Sequence, residues 1–425
     1  MNKQLLMRRY EVLGKSAPLF YEQPLELVRG EGVWVYDASG RRFLDTYNNV
    51  PHVGHCHPHV VSALTAQAST FNSHTRYLHE NIVGYVERLT AKFADSLSMA
   101  MLTCTGSEAN ELALRMARQH TGAQGIIVTS CAYHGNTEAV AELGTAFMPE
   151  ARTTQRVLAF PPPCSYRIPV GASADSLADF YAAEVAKAVA TFSQRGLGVA
   201  GILICPEFAN EGLVMEPPGF IEKAVDCVRA AGGLYIADEV QGGFGRTGEQ
   251  WWSHQHAGVI PDIVTLGKPM GNGHPLAGVV ARADLIEEFG AWGMYFNTFA
   301  GNPVSCAVGN AVLDVLEQED LLSNAVTVGH YIAERLNVLQ AKYPIIGDVR
   351  HKGLFFGVEL VSDQDSRQPA SVSAMRVVNA MCRKGVLISR IGLHDNVLKM
   401  RPPMSFTHEH ADILLETFDH CLAEL

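Results

Sequence analysis

The sequence has no long apolar run and no excess of basic residues. No uninterrupted apolar stretch approaches the roughly 18 residues of a membrane span, and the N-terminal stretch MNKQLLMRRYEVLG carries charge without the apolar core of a signal peptide. The 425 residues have a formal net charge of -11, which disfavours binding to nucleic acid or to an anionic membrane surface. We therefore expect small-molecule ligands, with neither nucleic acid nor membrane as a partner.

Paired cysteines are also missing. The nine cysteines are scattered singly, are odd in number and include no C-x-x-C pair. This usage is typical of a reducing compartment, so we predict free thiols and a cytoplasmic location. Internal repeats and low-complexity tracts, which would indicate a solenoid or a disordered segment, are absent as well.

The chain does contain an alternation of short apolar strands and helical stretches from about residue 98 to 310. GIIVTS, GILICPE, GLYIADE and DIVTLGK are strand candidates, and GFIEKAVDCVRAAGG has the periodicity of a crossover helix. The pattern predicts an α/β fold with a mainly parallel sheet flanked by helices. We assign it to a large domain, residues 61–315.

The two ends of the chain differ from this middle part. The last hundred residues combine helices with the strand candidates GLFFGVEL and GVLIS, and the stretch ELVRGEGVWVYDASGRRFLD predicts a hairpin around its DASGR turn. We predict that residues 1–60 join residues 316–425 in a smaller α+β domain.

Polar residues follow three of the predicted strands. GILICPE ends in Glu207, GLYIADE in Asp238 and Glu239, and DIVTLGK in Lys268, at spacings of 31 and 30 residues. In a parallel sheet these strand ends lie at one edge, where α/β proteins bind ligands. Asp238 and Lys268 alone would fit a buried structural ion pair equally well.

A second feature, TCTGSEANELALRMARQ, predicts an anion site. A strand ends near Thr105, Gly106 permits a tight turn, and a helix begins with Thr105 and Glu108 at capping-box spacing. With the aromatic Tyr133 of CAYHGNT, these residues meet the needs of pyridoxal 5'-phosphate (PLP). Lys268 bonds the aldehyde, the helix N-terminus takes the phosphate, Tyr133 stacks on the ring and Asp238 keeps the pyridine nitrogen protonated.

Two other interpretations are weaker. GGFGRTG contains a G-x-G-x-x-G pattern at Gly243, Gly245 and Gly248, but a dinucleotide fingerprint turns directly into a helix, whereas EQWWSHQH follows here.

A zinc site would need histidines at ligand spacing. PHVGHCHPHV offers four of them, but its glycine and proline break the strand and no acidic ligand has a recognisable spacing. We predict structural turn histidines and no metal site; the histidines concerned are His52, His55, His57 and His59, and later His254, His256, His408 and His410.

The motifs taken together resemble one family over nearly the whole chain. TGSEANELALRMAR, YHG, IADEVQGGFGRTG, LGKPMGNGHPLAGVV and NTFAGNPVSCAVG are similar, in order, to the class III, fold-type I PLP enzymes of the aminotransferase superfamily. The resemblance implies a homodimer with active sites at the subunit interface. It also implies Lys268 as the Schiff-base lysine, Asp238 on the pyridine nitrogen, and cofactor contacts by Gly106, Ser107, Tyr133, His134, Glu207, Val240 (under the ring), Gln241 (by the phenolic oxygen) and Thr298 (on the neighbouring subunit's phosphate).

Within this class, NNVPHVGHCHPHVV, TRYLHENIV and NVLKMRPPM are most similar to ethanolamine-phosphate phospho-lyases. Lys399 stands where typical transaminases of the class have an arginine for the substrate carboxylate, and Arg401 adds a second cation. A phosphate monoester is nearly dianionic and favours more than one cation, so we predict a substrate-phosphate site at Lys399, Arg401 and Arg76. A solvated K-x-R pair is the alternative.

The resemblance implies that phosphate is eliminated from O-phosphoethanolamine, or a related amino-phosphate, to give acetaldehyde and ammonia. A class III ω-aminotransferase, with the same cofactor residues and an oxo-acid acceptor, is the alternative activity. A zinc hydrolase and a PLP-binding protein without catalysis are the alternatives from other classes. One departure from the family concerns EFANEG, where Phe208 replaces the usual proline and the loop is shorter, which leaves the roles of Glu207 and Glu211 open.

Overall fold

The computed structural model describes residues 2–146 and 155–425. Sixteen strands are found in these ranges. In chain order they are β1 (Leu27–Glu31), β2 (Trp34–Asp37), β3 (Arg42–Asp45), β4 (Met99–Thr103), β5 (Gly125–Thr129), β6 (Val157–Phe160), β7 (Val199–Ile204), β8 (Leu234–Asp238), β9 (Ile263–Leu266), β10 (Ala277–Ala281), β11 (Ile346–Lys352), β12 (Phe355–Asp363), β13 (Gln368–Pro369), β14 (Val386–Leu387), β15 (Ser389–Ile391) and β16 (Val397–Met400).

Twelve α-helices accompany them in the described residues. They are α1 (Lys3–Leu13), α2 (Pro58–Ala68), α3 (Glu80–Thr90), α4 (Gly106–Thr121), α5 (Glu138–Ala141), α6 (Leu177–Gln194), α7 (Phe220–Ala230), α8 (Ala283–Trp292), α9 (Pro303–Gln318), α10 (Leu321–Lys342), α11 (Ser371–Lys384) and α12 (His408–Ala423). In the parts of the chain that are described, no helix is both long and apolar enough to cross a membrane.

The central sheet has seven strands in the order β4-β10-β9-β8-β7-β5-β6. The five strands from β9 to β6 pair in parallel, and β10 runs antiparallel to both of its neighbours. Helices α4 and α7 pack against these strands, and α6 packs against α7. The predicted α/β fold with a mainly parallel sheet is confirmed.

The central sheet is apolar on both faces, which explains why both faces are covered. Successive side chains of a strand point to opposite faces, and in β7 and β8 both sets are apolar. Ile202, Ile204 and Tyr235 belong to one buried cluster, whereas Leu203 and Ile236 belong to a second cluster under α4. Burial on both faces fixes the register of these strands, and so fixes where they end.

Two smaller sheets contain the chain ends. The predicted hairpin is β2 and β3, joined through the DASGR turn, in which Asp37 Oδ1 accepts hydrogen bonds from the backbone N–H groups of Ser39 and Arg41. Strand β3 pairs in parallel with β14, so the N-terminal strands join the C-terminal part of the chain in one sheet. The domain boundaries near residues 60 and 315 stay a prediction.

The ends of β7, β8 and β9 lie side by side, as the spacing predicted. Ile204 pairs with Ala237, and Asp238 pairs with Thr265. Glu207, Glu239 and Lys268 follow directly after these strands. The sheet therefore presents one polar edge, and the site is built there.

Candidate active site

A cavity of about 330 Å³ opens at the carboxyl edge of the central sheet. Its walls come from the N-terminus of α4, the loop after β5, the end of β8 and the start of the segment after β9. The predicted cofactor residues that line it are Gly106, Ser107, Tyr133, His134, Asp238, Val240, Gln241 and Lys268.

The N-terminus of α4 forms one wall of this cavity. The Thr105 side chain accepts the N–H of Glu108, and the Glu108 carboxylate accepts the N–H groups of Cys104 and Thr105 at 2.8 and 2.9 Å. These bonds use the N–H groups of Cys104, Thr105 and Glu108. The N–H groups of Gly106 and Ser107, which line the cavity, remain available to a ligand there. A side chain on Gly135 would lie 2.6 Å from Ser107 Oγ, which explains why glycine stands there. The result is a helix terminus open to an anion.

Lys268 lines the cavity and follows strand β9 after a single residue, Gly267. Its φ of 28° is rare for a residue with a side chain, and such strain is characteristic of functional positions. Burial lowers the pKa of the Lys268 amine, and the charge of the nearby Arg401 lowers it further, whereas Asp238 raises it. A lowered pKa increases the fraction of neutral amine, the form that acts as a nucleophile and as a base.

Asp238 is held by a network of hydrogen bonds. Its Oδ2 accepts His134 Nδ1 at 2.6 Å and Asn110 Nδ2 at 3.1 Å, and its Oδ1 accepts the N–H of Val240 at 3.0 Å. Asn110 is itself fixed, because its Oδ1 accepts Thr265 Oγ1 at 2.7 Å. These three donors hold the buried carboxylate in one orientation.

Asn110 is a site residue that the motifs did not single out. It is fully buried on α4, on a face shared with Ala113, Leu114 and Ala117. A polar side chain in the middle of an apolar helix face is the signal that indicates a buried partner. Cys205, two residues before Glu207, also lines the cavity.

At the other end of the site, Lys399 and Arg401 converge on Gln241. Lys399 Nζ donates to Gln241 Oε1 at 3.0 Å, and Arg401 Nη1 donates to the same oxygen. Both basic side chains are buried, and no carboxylate in the described ranges forms an ion pair with either of them. We call these three residues the anion subsite. Burial, Arg401 and Lys268 lower the pKa of Lys399 well below its usual value, and burial lowers the pKa of Arg401 to about 10.

Glu207 and Glu211 lie apart from the cavity wall. Glu207 Oε1 is 3.6 Å from Lys352 Nζ, and burial raises the pKa of this carboxyl to about 7. Glu211 accepts a hydrogen bond from Thr129 Oγ1. Phe208 between them has a φ of 43°, which proline cannot adopt, so the replacement of the family's proline fits a different path of this loop. Glu207, a predicted cofactor contact, is not among the described residues that line the cavity.

Arg76 and Thr298 lie on the outside of this chain. Arg76 is exposed, with its guanidinium carbon 3.8 Å from the centroid of the Phe296 ring. Thr298 is exposed on the same segment as Phe296. Neither is among the described residues that line the cavity, so the structure brings together two of the three predicted phosphate ligands.

The histidines and glycines of the alternative interpretations are placed elsewhere. His52, His55, His57 and His59 contact Phe244 O, Asp45, Glu319 and Asp314 respectively, so their ring nitrogens do not converge. Within residues 2–146 and 155–425, no group of three or more histidine, cysteine or acidic side chains is placed to hold a metal ion. The G-x-G-x-x-G loop leads into the short 3-10 helix Ser253–Ala257 rather than into an α-helix.

The residues of the cavity fit PLP. The helix terminus of α4 matches a phosphate, and a side chain on Gly106 would crowd Val240 at 3.1 Å. The Asp238 carboxylate would accept a hydrogen bond from a pyridine N–H, and Lys268 would supply the amine for the aldehyde.

Comparison with known proteins agrees with this assignment. Residues 20–422 match the family Aminotransferase class-III. The chain is 41% identical to "Alanine--glyoxylate aminotransferase 2-like" of Drosophila melanogaster (97% of this chain, 86% of that protein) and 35% identical to "Ethanolamine-phosphate phospho-lyase homolog 1" of Caenorhabditis elegans (98% and 91%). A solved phospholyase from Arthrobacter, in complex with phosphoethanolamine, is 50% identical, with a TM-score of 0.96 and coverage of 99% of this chain and 100% of that one.

The family match covers most of the chain, and both the fold and the content of the cavity agree with it. The protein therefore belongs to the class III aminotransferase family, whose members are PLP-dependent enzymes of fold-type I.

Proposed function

We propose that this protein is a phospho-lyase that releases phosphate from O-phosphoethanolamine or a related amino-phosphate. The observation that carries the proposal is the anion subsite: two buried basic side chains share one neutral oxygen and no carboxylate. Unpaired buried cations are costly, and a ligand with two negative charges removes that cost. The similarity to a phospholyase crystallised with phosphoethanolamine supports the same substrate class.

The residues divide the reaction between them. PLP, when bound, stores the electron pair released when the C–H bond beside the substrate nitrogen breaks. Lys268, whose amine is driven towards its neutral form, accepts that proton. Asp238 would hold the proton on the pyridine nitrogen, and the His134 and Asn110 hydrogen bonds keep its carboxylate in place.

Lys399 and Arg401 act on the leaving group. They stabilise the charge that develops as the C–O bond to phosphate breaks. The remaining enamine takes up water and releases acetaldehyde and ammonia, so one water is consumed and no amino acceptor is needed. An aminotransferase, the activity named for the Drosophila relative, would use the same cofactor residues but would require an oxo acid.

The test is to incubate the PLP-loaded protein with O-phosphoethanolamine and no oxo acid, and to follow inorganic phosphate and acetaldehyde. We expect many turnovers, and we expect Lys399→Met to lose most of this activity. Lys384→Met is the matched control, because this lysine ends α11 and pairs with Glu424 on the surface. If phosphate forms only in stoichiometric amounts, and alanine forms when pyruvate and an amine donor are supplied, the protein is an aminotransferase.

We further propose a homodimer in which Thr298 and Arg76 act across the interface. Leu78 is 100% exposed and Phe299 73% exposed, beside the exposed Arg76 and Thr298. Such an apolar surface is unusual on a monomer and fits a self-complementary contact. Sedimentation analysis of Leu78→Glu is expected to show a monomer where the unchanged protein shows a dimer; a monomeric unchanged protein would refute the proposal.

We also propose a cytoplasmic location, because all nine cysteines are free thiols. Fractionation of the source cells tests it, and recovery of the protein in an oxidising compartment would contradict it.

A further inference from the structure

Gln241 stands between the cavity and the two basic side chains of the anion subsite. Gln241 lines the cavity, whereas Lys399 and Arg401 are not among the described residues that line it. Its Oε1 accepts one hydrogen bond from each of them. An anion that enters from the cavity therefore meets the Gln241 amide before it reaches either cation.

The backbone around Gln241 is fixed. The N–H of Val240 donates to Asp238 Oδ1 at 3.0 Å. A side chain on Gly242 would lie 2.5 Å from Ser253 Oγ, and one on Gly243 would lie 2.8 Å from the Glu239 carbonyl oxygen. The loop is closely packed at these points, so opening of the anion subsite would require rotation of the Gln241 side chain.

The Phe355 ring, which lies near both Lys399 and Arg401, is a weak substitute for the Gln241 amide oxygen as a hydrogen-bond acceptor. Phe355 lies 5.5 Å from Lys399 Nζ and 5.3 Å from the Arg401 guanidinium carbon, measured to the ring centroid. Arg401 Nε is buried without a hydrogen-bond partner. Rotation of Gln241 would thus leave both donors unsatisfied unless an anion replaces its oxygen.

We propose that Gln241 is a latch on the anion subsite, whose amide oxygen has to leave Lys399 and Arg401 before any anion binds there. This latch lowers the affinity of every anion by one common factor, the fraction of molecules in which it is open. A phosphate monoester, with two charges and three oxygens, retains useful affinity, whereas a monocarboxylate does not. The proposal rests on the proposed function in that the ligand of the anion subsite is the substrate phosphate.

The experiment measures the binding of inorganic phosphate and of acetate to the PLP-loaded protein by calorimetry. In the loaded protein the N-terminus of α4 would be taken by the cofactor phosphate, so the added anion would report on the anion subsite. We expect Gln241→Ala to tighten both anions by the same factor, about tenfold, and to leave the ratio of their Kd values unchanged. Gln241→Glu, which places a carboxylate on the cations, is expected to weaken both by at least about tenfold.

Two further variants control this experiment. Ser253→Ala removes a buried hydroxyl beside Gly242 that bonds Glu239 rather than the cations, and it should leave both Kd values unchanged. Gln241→Asn keeps an amide in the loop but shortens its reach, and it should act as Gln241→Ala does. Visible absorbance of the bound cofactor confirms that each variant is folded and loaded.

The outcomes separate the two proposals. Weaker or unchanged phosphate binding in Gln241→Ala would make Gln241 a ligand or a bystander and overturn the latch, while phosphate release by the unchanged enzyme would still stand. A common tightening supports the latch. If neither the unchanged protein nor Gln241→Ala binds phosphate, both the latch and the assignment of the anion subsite are overturned.

Discussion

The two ends of the active site differ in how completely their charges are matched. Asp238 accepts hydrogen bonds from His134, Asn110 and the backbone of Val240, all within 3.1 Å. Lys399 and Arg401 instead share a single neutral oxygen. The carboxylate end is organised by the protein itself, whereas the cation end is organised only when an anion arrives. We propose that this contrast distinguishes the residues that hold a cofactor from those that bind the substrate.

The largest effect is expected at Lys268, which serves both ends. In the proposed mechanism the Lys268 amine joins the cofactor and moves the proton, so we expect Lys268→Ala to lower kcat at least about 10³-fold. The absorbance band of the lysine-bound cofactor should disappear as well. An unchanged visible spectrum in this variant would contradict the assignment of Lys268.

At the cation end, Arg401→Met is expected to lower kcat/KM for O-phosphoethanolamine by roughly 10- to 100-fold, the worth of one or two hydrogen bonds to a charged group. The variant should still bind the cofactor and keep its visible absorbance band, with only a small shift from the loss of the Arg401 charge that lowers the pKa of Lys268. Steady-state kinetics and an absorbance scan on one preparation test both statements. A spectral change as large as the kinetic loss would show that the two ends are not separable.

At the carboxylate end, Asn110→Ala is expected to have a smaller effect, roughly tenfold on kcat, since His134 and Val240 still hold Asp238. Here the spectrum of the bound cofactor should shift, and the Kd of inorganic phosphate should not. Asn81→Ala is the control, because this asparagine on α3 bonds Gln67 far from the cavity edge. A changed phosphate Kd in Asn110→Ala would show that the carboxylate end also controls anion binding, contrary to this prediction.

The smallest effect is a pH dependence of anion binding. The pKa of Lys399 is lowered in the free protein, and a bound anion raises it, so binding takes up a proton between these two values. Phosphate affinity therefore decreases as the pH rises above the free-state pKa of Lys399. Calorimetry over a series of pH values, in two buffers of different ionisation enthalpy, should show proton uptake on phosphate binding, which Lys399→Met abolishes. Proton release on binding would contradict the prediction.

The sequence predicted the carboxylate end better than the cation end for a physical reason. Asp238 and Lys268 end two neighbouring parallel strands, and strand spacing alone places them at one edge of the sheet. The fold class, the capping box of Thr105 and Glu108, and the β2–β3 hairpin follow from equally local rules. Each of these features depends on residues close together in the chain.

The remaining features depend on contacts between distant segments. Gln241 meets Lys399 and Arg401 across 158 and 160 residues, and no local pattern indicates that a loop amide will share two cations. The same holds for Asn110 and Asp238, which are 128 residues apart. The resemblance implied a cofactor contact by Glu207; its Oε1 lies 3.6 Å from Lys352 Nζ and Glu207 is not among the described residues that line the cavity, so this contact stays a prediction.

We propose above all that Lys399 and Arg401 hold the phosphate of the substrate. A crystal structure of the PLP-loaded Lys268→Ala variant with O-phosphoethanolamine, in which the missing base prevents turnover, would test this. We expect phosphate oxygens within hydrogen-bonding distance, about 3 Å, of both Lys399 Nζ and the Arg401 guanidinium, with the Gln241 amide turned away. A phosphate group bound elsewhere, with Gln241 still on both cations, would contradict it.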